Sequence, residues 1–206
     1  MSGSAAATVA LAIYGVFFLV AFIGKSLEMS RQTGFSGFHG ISAESGPLGR
    51  LSGVLFAAGA IGGFVAPVLV LTGTIGNFGA LEKTWIASVG LAVALLGAAV
   101  GLAAQRAMGA SWRIGVEAGE ETNLVVAGPF RFSRNPFFGA LIPLTFGLFL
   151  LVPNPVSVVA GICLILGIEI QVRVVEEPHL RSTFGADYEE YGRRVGRFLP
   201  WFGRLR

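Results

Sequence analysis

Glu169, Arg173 and Glu177 recur at four-residue spacing near the C-terminal end of a 206-residue chain, with Glu176 one position round. Spacing of i, i+4, i+8 puts the three on one helix face. They close a long apolar run, so Glu169 falls deepest and Arg173 is its natural partner. Charges at membrane depth are costly and usually turn into a bundle interior or a wet cavity. An arginine held there could bind a carboxylate, and a glutamate there could complement a cation or take a proton. The other reading is a ladder of side chains snorkelling to the membrane surface. It accounts for Arg173 and Glu176 better than for Glu169.

Two more polar groupings flank this run. Upstream lie Thr122-Asn123-Leu124-Val125-Val126, an extended-looking stretch, and then Gly128-Pro-Phe130-Arg-Phe-Ser-Arg134-Asn135-Pro136-Phe137-Phe138-Gly139. Pro136 suits the first turn of a helix, where its missing N–H has no partner, and the neighbouring N–H groups could face an anion. Downstream, Tyr188 and Tyr191 fall at i, i+3 around Glu189 and Glu190, and Arg197-Phe-Leu-Pro-Trp-Phe202 resembles an interfacial anchor. An amphipathic helix lying on the membrane accounts for much of this tail, with Tyr188 free to face the cleft.

These groupings need elements that bring them to one face. Hydrophobic residues make up 53% of the chain and charged ones 13%, about half the share of a soluble domain. This is an all-α integral membrane protein of one domain. Five apolar stretches are candidate spans: Ala5–Gly24, Leu51–Gly73, Trp85–Ala104, Phe137–Val152 and Val156–Val175. The fourth is short and contains Pro143; it counts because Pro153-Asn154-Pro155 forces a tight turn into the fifth. The first lacks a basic leader and a small-residue cleavage site, so it reads as a retained helix. Residues 1–104 thus hold three spans with a connection at 25–50, and 105–206 hold a second connection, a helical hairpin and the tail.

Of the 15 Lys and Arg, Lys83 alone falls on the opposite side of this five-span arrangement. The positive-inside rule then places the N-terminus outside, and the C-terminus and the polar groupings in the cytoplasm. The 30 glycines suit close helix contact in lipid, and Gly59-Ala-Ile-Gly62-Gly63 is either such a contact or a loosely packed stretch. The connection at 25–50, with Phe35, Phe38 and Ile41, is either a flexible linker or a lid over a lipid cleft; His39 in it reads as a solvated residue. Cys163 stands alone and excludes an internal disulfide. His39 and His179 are the only histidines, so no Ser/His/Asp set and no metal site is expected, and no P-loop or strand-linked GxGxxG is present. The basic residues are explained by topology, not by nucleic acid.

The two motifs together resemble the isoprenylcysteine carboxyl methyltransferase family, whose relatives include bacterial membrane phospholipid methyltransferases. The likeness runs from about Thr122 to Trp201. It covers Gly128 to Gly139, one helical hairpin, and Arg173-x-x-Glu176-Glu177-x-x-Leu180 through Phe184-Gly185, Tyr188, Tyr191 and Arg197 to Pro200. It implies S-adenosyl-L-methionine as cofactor without a Rossmann domain, in a pocket formed by the last two spans, the preceding connection and the tail. By motif, Thr122, Asn123, Leu124 and Val125 would hold the cofactor through their backbone, and Phe130 would pack near it. Asn135, Pro136, Phe137 and Phe138 would line the pocket, Glu177 would hydrogen-bond the cofactor, and Tyr188 would join them. Arg173 takes the family's substrate-side position, with Glu176 beside it, and Glu169 and Arg134 complete the catalytic set. The family's His is Asn135 here and two of its Tyr positions are Phe130 and Phe138, which keep shape but lose acid–base capacity.

A carboxylate acceptor is already ionised at pH 7, so its methylation needs no base, which suits a site without histidine. An isoprenylcysteine-like or other lipophilic acceptor would enter between spans, with Arg173 on its carboxylate. A lipid amine or thiol methyltransferase of the same fold, or a non-catalytic membrane binding module, are the other two readings. The choice between monomer and homodimer stays open.

Overall fold

Proline and glycine set most of the helix boundaries. The computed structural model describes residues 1–34, 46–109 and 124–205. Helix α1 (Gly3–Phe18) is capped by the Ser2 hydroxyl and passes through a π-helical turn, Leu19–Gly24, into α2 (Lys25–Thr33). Gly34 ends α2 at φ 79°, a left-handed conformation open to glycine. Then come α3 (Gly46–Leu71), α4 (Thr84–Met108), α5 (Pro136–Leu151) and α6 (Pro155–Ile170). A second π-helical turn, Gln171–Glu176, joins α6 to α7 (Glu177–Arg194). The expected lid residues Phe35, Phe38, His39 and Ile41, and the expected cofactor contacts Thr122 and Asn123, lie outside the described residues.

Among the described residues, four helical stretches are long and apolar enough to cross a membrane: Gly3–Arg31, Gly46–Leu71, Thr84–Met108 and Pro155–Arg194. The last has 40 residues, or ~60 Å, about twice the hydrocarbon core. Only its first half can span, so the span closes within Gln171–Glu176 and the polar α7 lies beyond. Helix α5 is apolar but has only 16 residues. It pairs with α6 through the tight turn expected at Pro153-Asn154-Pro155. Asn154 is buried there, accepting from Ser157 N–H (2.9 Å) while its own N–H donates to Ser157 Oγ (3.1 Å).

Helix pairing follows the small residues. Helix α4 lies along α5 and α3 along α6, with α1 against α3, α4 and α5. A Cβ on Gly97 would sit 2.6 Å from Leu144 N, and one on Gly59 the same distance from Leu164 N. Without side chains at these places the backbones approach closely, which is how helices associate where lipid offers no hydrophobic drive. Of the two readings of the 59–63 stretch, the structure selects the contact: Gly59 and Gly62 abut α6 and Gly63 abuts the Tyr14 ring. Phe17, Leu141, Leu144, Leu164 and Ile168 fill the centre.

The two ends of the bundle are tied separately. At one, Phe78 N–H donates to Pro153 O (2.7 Å) and the N-terminal amine to Thr84 Oγ1 (3.1 Å). At the other, Ser52 on α3 meets Gln171 (2.8 Å), and the 130–135 segment meets the tail. The described parts of the three polar groupings therefore share one end.

Candidate functional site

Gly185 opens the site. Its φ of 49° and ψ of −122° break α7, and the segment beyond turns Tyr188 and Tyr191 inward. Tyr188 is 0% exposed and Tyr191 4%. The Tyr191 hydroxyl donates to Phe130 O (2.6 Å), fixing α7 to the turn that precedes α5. Leu124 packs against this tyrosine pair, so of the expected backbone run Leu124 is brought to the site, with Val125 beside it in sequence.

After Arg194 the chain doubles back as a strap. Ser133 and Gly196 form a parallel bridge, Arg134 N–H donates to Gly196 O (2.9 Å) and Asn135 N–H to Arg197 O (3.0 Å). Gly196 is required, because a Cβ there would collide with the Leu199 and Phe202 carbonyls. The strap corrects one expectation: the Asn135 N–H does not offer itself to an anion, since the tail's carbonyl occupies it. Phe198 O lies where a Cβ on Gly139 would go (2.7 Å), so the strap rests directly on the first turn of α5.

The strap and α7 enclose a charge cluster. Arg134 Nη2 donates to Glu177 Oε1 (2.7 Å). Arg197 Nε donates to the same oxygen and its Nη2 to Oε2, both at 2.8 Å. Arg134 also donates to the carbonyls of Gly192, Val195 and Gly203. The Arg134 and Glu177 side chains are 1% and 5% exposed. Burial alone would push the Glu177 carboxyl up; the hydrogen bonds and charges of Arg197 and Arg134 outweigh it and hold the group below its ordinary value. The carboxylate in turn holds the Arg197 guanidinium above its own. Arg134 is thus embedded in the scaffold, with both terminal nitrogens of its guanidinium committed to protein groups.

Glu169 and Arg173 do form the ion pair their spacing predicts, and they lie at the open side, with the Arg173 side chain 56% exposed. Phe138 meets Phe56 edge-on, while Phe137 stands in the bundle core between Phe17 and Phe22. Phe130, Asn135 and Pro136 are buried beneath the strap. The sequence reading missed Gln171 and Ser52. Ser52 is buried at 1% on α3 and bonds Gln171 in the π turn, two positions from Glu169 and from Arg173 on either side. A polar amide inside an apolar run was the available signal for Gln171; nothing local marks Ser52. A narrow cavity lined by Tyr14, Gly63, Thr145, Leu148 and Ser157 lies toward the other end and holds no charged residue.

Two buried polar atoms bear on what the site would hold. The Tyr188 hydroxyl and Arg134 Nε have no hydrogen-bond partner among the described residues. Buried polar groups are nearly always paired, so an orphaned hydroxyl beside Glu177 fits a site built for a polar ligand.

The phospholipid methyltransferase family model matches residues 85–187, half of the chain. The chain belongs to the phospholipid methyltransferase family. That match takes in α4 to α6 and α7 as far as Asp187, and so Glu169, Arg173 and Glu177 but not Tyr188, Tyr191 or the strap. Among curated proteins, a probable protein-S-isoprenylcysteine O-methyltransferase of Oryza sativa is 30% identical over 60% of this chain and 66% of its own length. Protein-S-isoprenylcysteine O-methyltransferase B of Arabidopsis thaliana is 26% identical over 60% of this chain and 64% of its own. The chain therefore spans just under two thirds of the relatives it matches. A solved eukaryotic intramembrane Ras methyltransferase, isoprenylcysteine carboxyl methyltransferase, superposes over 95% of this chain and 75% of that one with a TM-score of 0.55. At 17% identity that likeness establishes the multi-pass membrane fold.

Proposed function

We propose that this family member is a membrane methyltransferase that uses S-adenosyl-L-methionine to methylate a lipophilic acceptor, with the carboxylate of an isoprenylcysteine-like group as its substrate. The observation that carries this is the placement, at one end of the bundle, of a buried Glu177–Arg134–Arg197 cluster with an orphaned tyrosine hydroxyl, beside an open Glu169–Arg173 pair. The names of the curated relatives support the acceptor class.

Bound S-adenosyl-L-methionine would supply an electrophilic methyl group for in-line transfer. Leu124, Val125, Phe130, Asn135, Pro136, Phe138, Glu177 and Tyr188 would hold it, with Thr122 and Asn123 completing the run. Phe137 shapes the wall from the core side. Glu177 has hydrogen-bond capacity left on Oε2, which accepts from Arg197 Nη2, and Tyr188 has a hydroxyl to give. Arg134 positions Glu177. Arg173 orients the acceptor carboxylate through its guanidinium, and Glu169 fixes Arg173 from one turn deeper. Glu176 flanks the acceptor. No general base is needed, because a carboxylate is ionised at neutral pH. By the charge asymmetry of the loops, the site faces the cytoplasm and the N-terminus lies outside.

Calorimetric titration of the nanodisc-embedded protein with S-adenosyl-L-methionine and S-adenosylhomocysteine tests the reading. Saturable binding that Glu177→Ala abolishes and Arg173→Ala spares is the expected result. Absence of binding by a folded sample overturns it.

The family's own description favours one further acceptor, a phospholipid amine. An amine must lose a proton, which would make Glu169 or Glu176 a base. Methylation of a carboxylate is expected to be flat between about pH 6 and 8, whereas a steep alkaline rise would identify an amine acceptor.

A further inference from the structure

Leu199, Trp201 and Phe202 are 59%, 73% and 72% exposed, a large apolar surface on one short turn. Trp201 has φ 67°, the only positive value among the described non-glycine residues. Such a conformation is strained for a bulky side chain and persists only where its surroundings hold it. Here the turn is closed by Arg197 N–H donating to Phe202 O (2.8 Å) and Phe202 N–H to Leu199 O (3.3 Å). Phe198, just before it, packs into the main bundle core and rests on Gly139 in the first turn of α5. The exposed trio therefore starts beside the first turn of α5, at the end of the apolar bundle. Phe132, 64% exposed and one residue before the Ser133–Gly196 bridge, joins the same rim. Arg193, Arg194 and Arg204 are exposed around it.

We propose that residues 199–204 are a docking turn for an anionic leaflet surface and that leaflet contact is what holds the Glu177 cluster closed. The occupant is the bilayer and not a second copy. A stable protein interface takes about 800 Å² from each partner, more than one turn offers, whereas tryptophan and phenylalanine beside arginines suit a headgroup region. The coupling is covalent and short. Arg197 opens the turn and donates twice to Glu177, and Gly203 closes it and accepts from Arg134 at 3.1 Å. Lifting the turn off the membrane removes both contacts from the cluster. This inference does not depend on which reaction the site performs.

The test uses full-length protein in nanodiscs, with Trp85→Phe and Trp112→Phe leaving Trp201 as the only tryptophan. Its fluorescence is read against spin-labelled lipids and aqueous iodide. Expected are quenching by shallow labels over deep ones, protection from iodide, and a further blue shift when phosphatidylglycerol replaces phosphatidylcholine. Free quenching by iodide overturns docking, and protection from iodide without lipid quenching assigns the turn to a protein contact and overturns it too. Hydrogen exchange then reads the coupling on the otherwise native chain. The Arg134 and Asn135 amides, bonded to the strap, and the strap's own Leu205 amide, bonded to Gly192 O in α7, are expected to exchange about fivefold more slowly in anionic than in neutral discs. Leu199→Ser/Phe202→Ser is expected to lose that difference. Equal exchange in both discs, with docking intact, overturns the coupling.

Discussion

At Glu177 two guanidiniums converge on one buried carboxylate, while four residues into the membrane from Arg173 a single glutamate meets a single, half-exposed arginine. The same residue types therefore have different consequences when removed. Glu177→Gln leaves Arg134 buried against an amide, and breaking such a pair costs about 3–5 kcal/mol. A large fall in thermal stability is expected, measured by tryptophan fluorescence in detergent. Glu169→Gln breaks an exposed pair worth ~1 kcal/mol or less, so it is expected to leave stability nearly unchanged while lowering turnover. The pH dependence of Glu177 follows from its lowered carboxyl. The group binds fewer protons folded than unfolded, so its stabilisation is complete above the ordinary glutamate range and drains as pH falls from about 4 downward. Acid melting curves should show this loss in the wild type and not in Glu177→Gln. Tyr188→Phe removes a hydroxyl whose charged neighbours are Glu177 and Arg134 but which makes no well-formed hydrogen bond among the described residues, so it should change the stability of the empty protein little. It should weaken S-adenosyl-L-methionine binding about tenfold, the worth of one hydrogen bond. Equal affinity would remove Tyr188 from the cofactor contacts.

At the level of elements, glycine sets how closely α4 and α5 approach. Gly97→Ala places a methyl group 2.6 Å from Leu144 N and is expected to cost about 1–3 kcal/mol through overpacking. Gly76→Ala, which would meet nothing within 4 Å, is the matched control, and unfolding midpoints of the two decide it. What the sequence made legible at this scale was whatever depends on local spacing: the helices, the Asn154 turn and the Glu169–Arg173 pair. The hydrophobic run also located the last span, but only geometry shows that α6 and α7 are joined by a π turn. Shifting the helix face there brings Gln171 onto Ser52, a contact across 119 positions that no period reveals. The strap was illegible for a similar reason. Read as a sequence, Arg197 to Phe202 is an apolar stretch with arginine; its pairing with Ser133 to Asn135 depends on Gly192 and Gly196 having no side chain. Arg134 read as a catalytic candidate because its motif is shared with a family of enzymes, whereas its burial ties it to the strap and makes it a positioning residue in the proposed reaction.

The whole molecule sorts its groups along one axis, with turn-forming residues at one end and nearly all the charge chemistry at the other. Helix α5 gives this axis a physical scale. Its 16 residues rise ~24 Å, whereas the hydrocarbon core is ~30 Å deep. Held at the Val152–Asn154 turn, the helix falls ~6 Å short of crossing a core of full depth. A thickness difference of this kind costs fractions of a kcal/mol per ångström and is relieved when the bilayer thins. The protein should therefore prefer thin membranes. Reconstitution in phosphatidylcholines of increasing chain length is expected to lower both thermal stability and turnover as the chains lengthen. In the proposed reaction, a bilayer thinned around so short a helix would bring the headgroup of a lipid-tailed acceptor down toward the site, so the acceptor would not have to rise out of the leaflet to be reached.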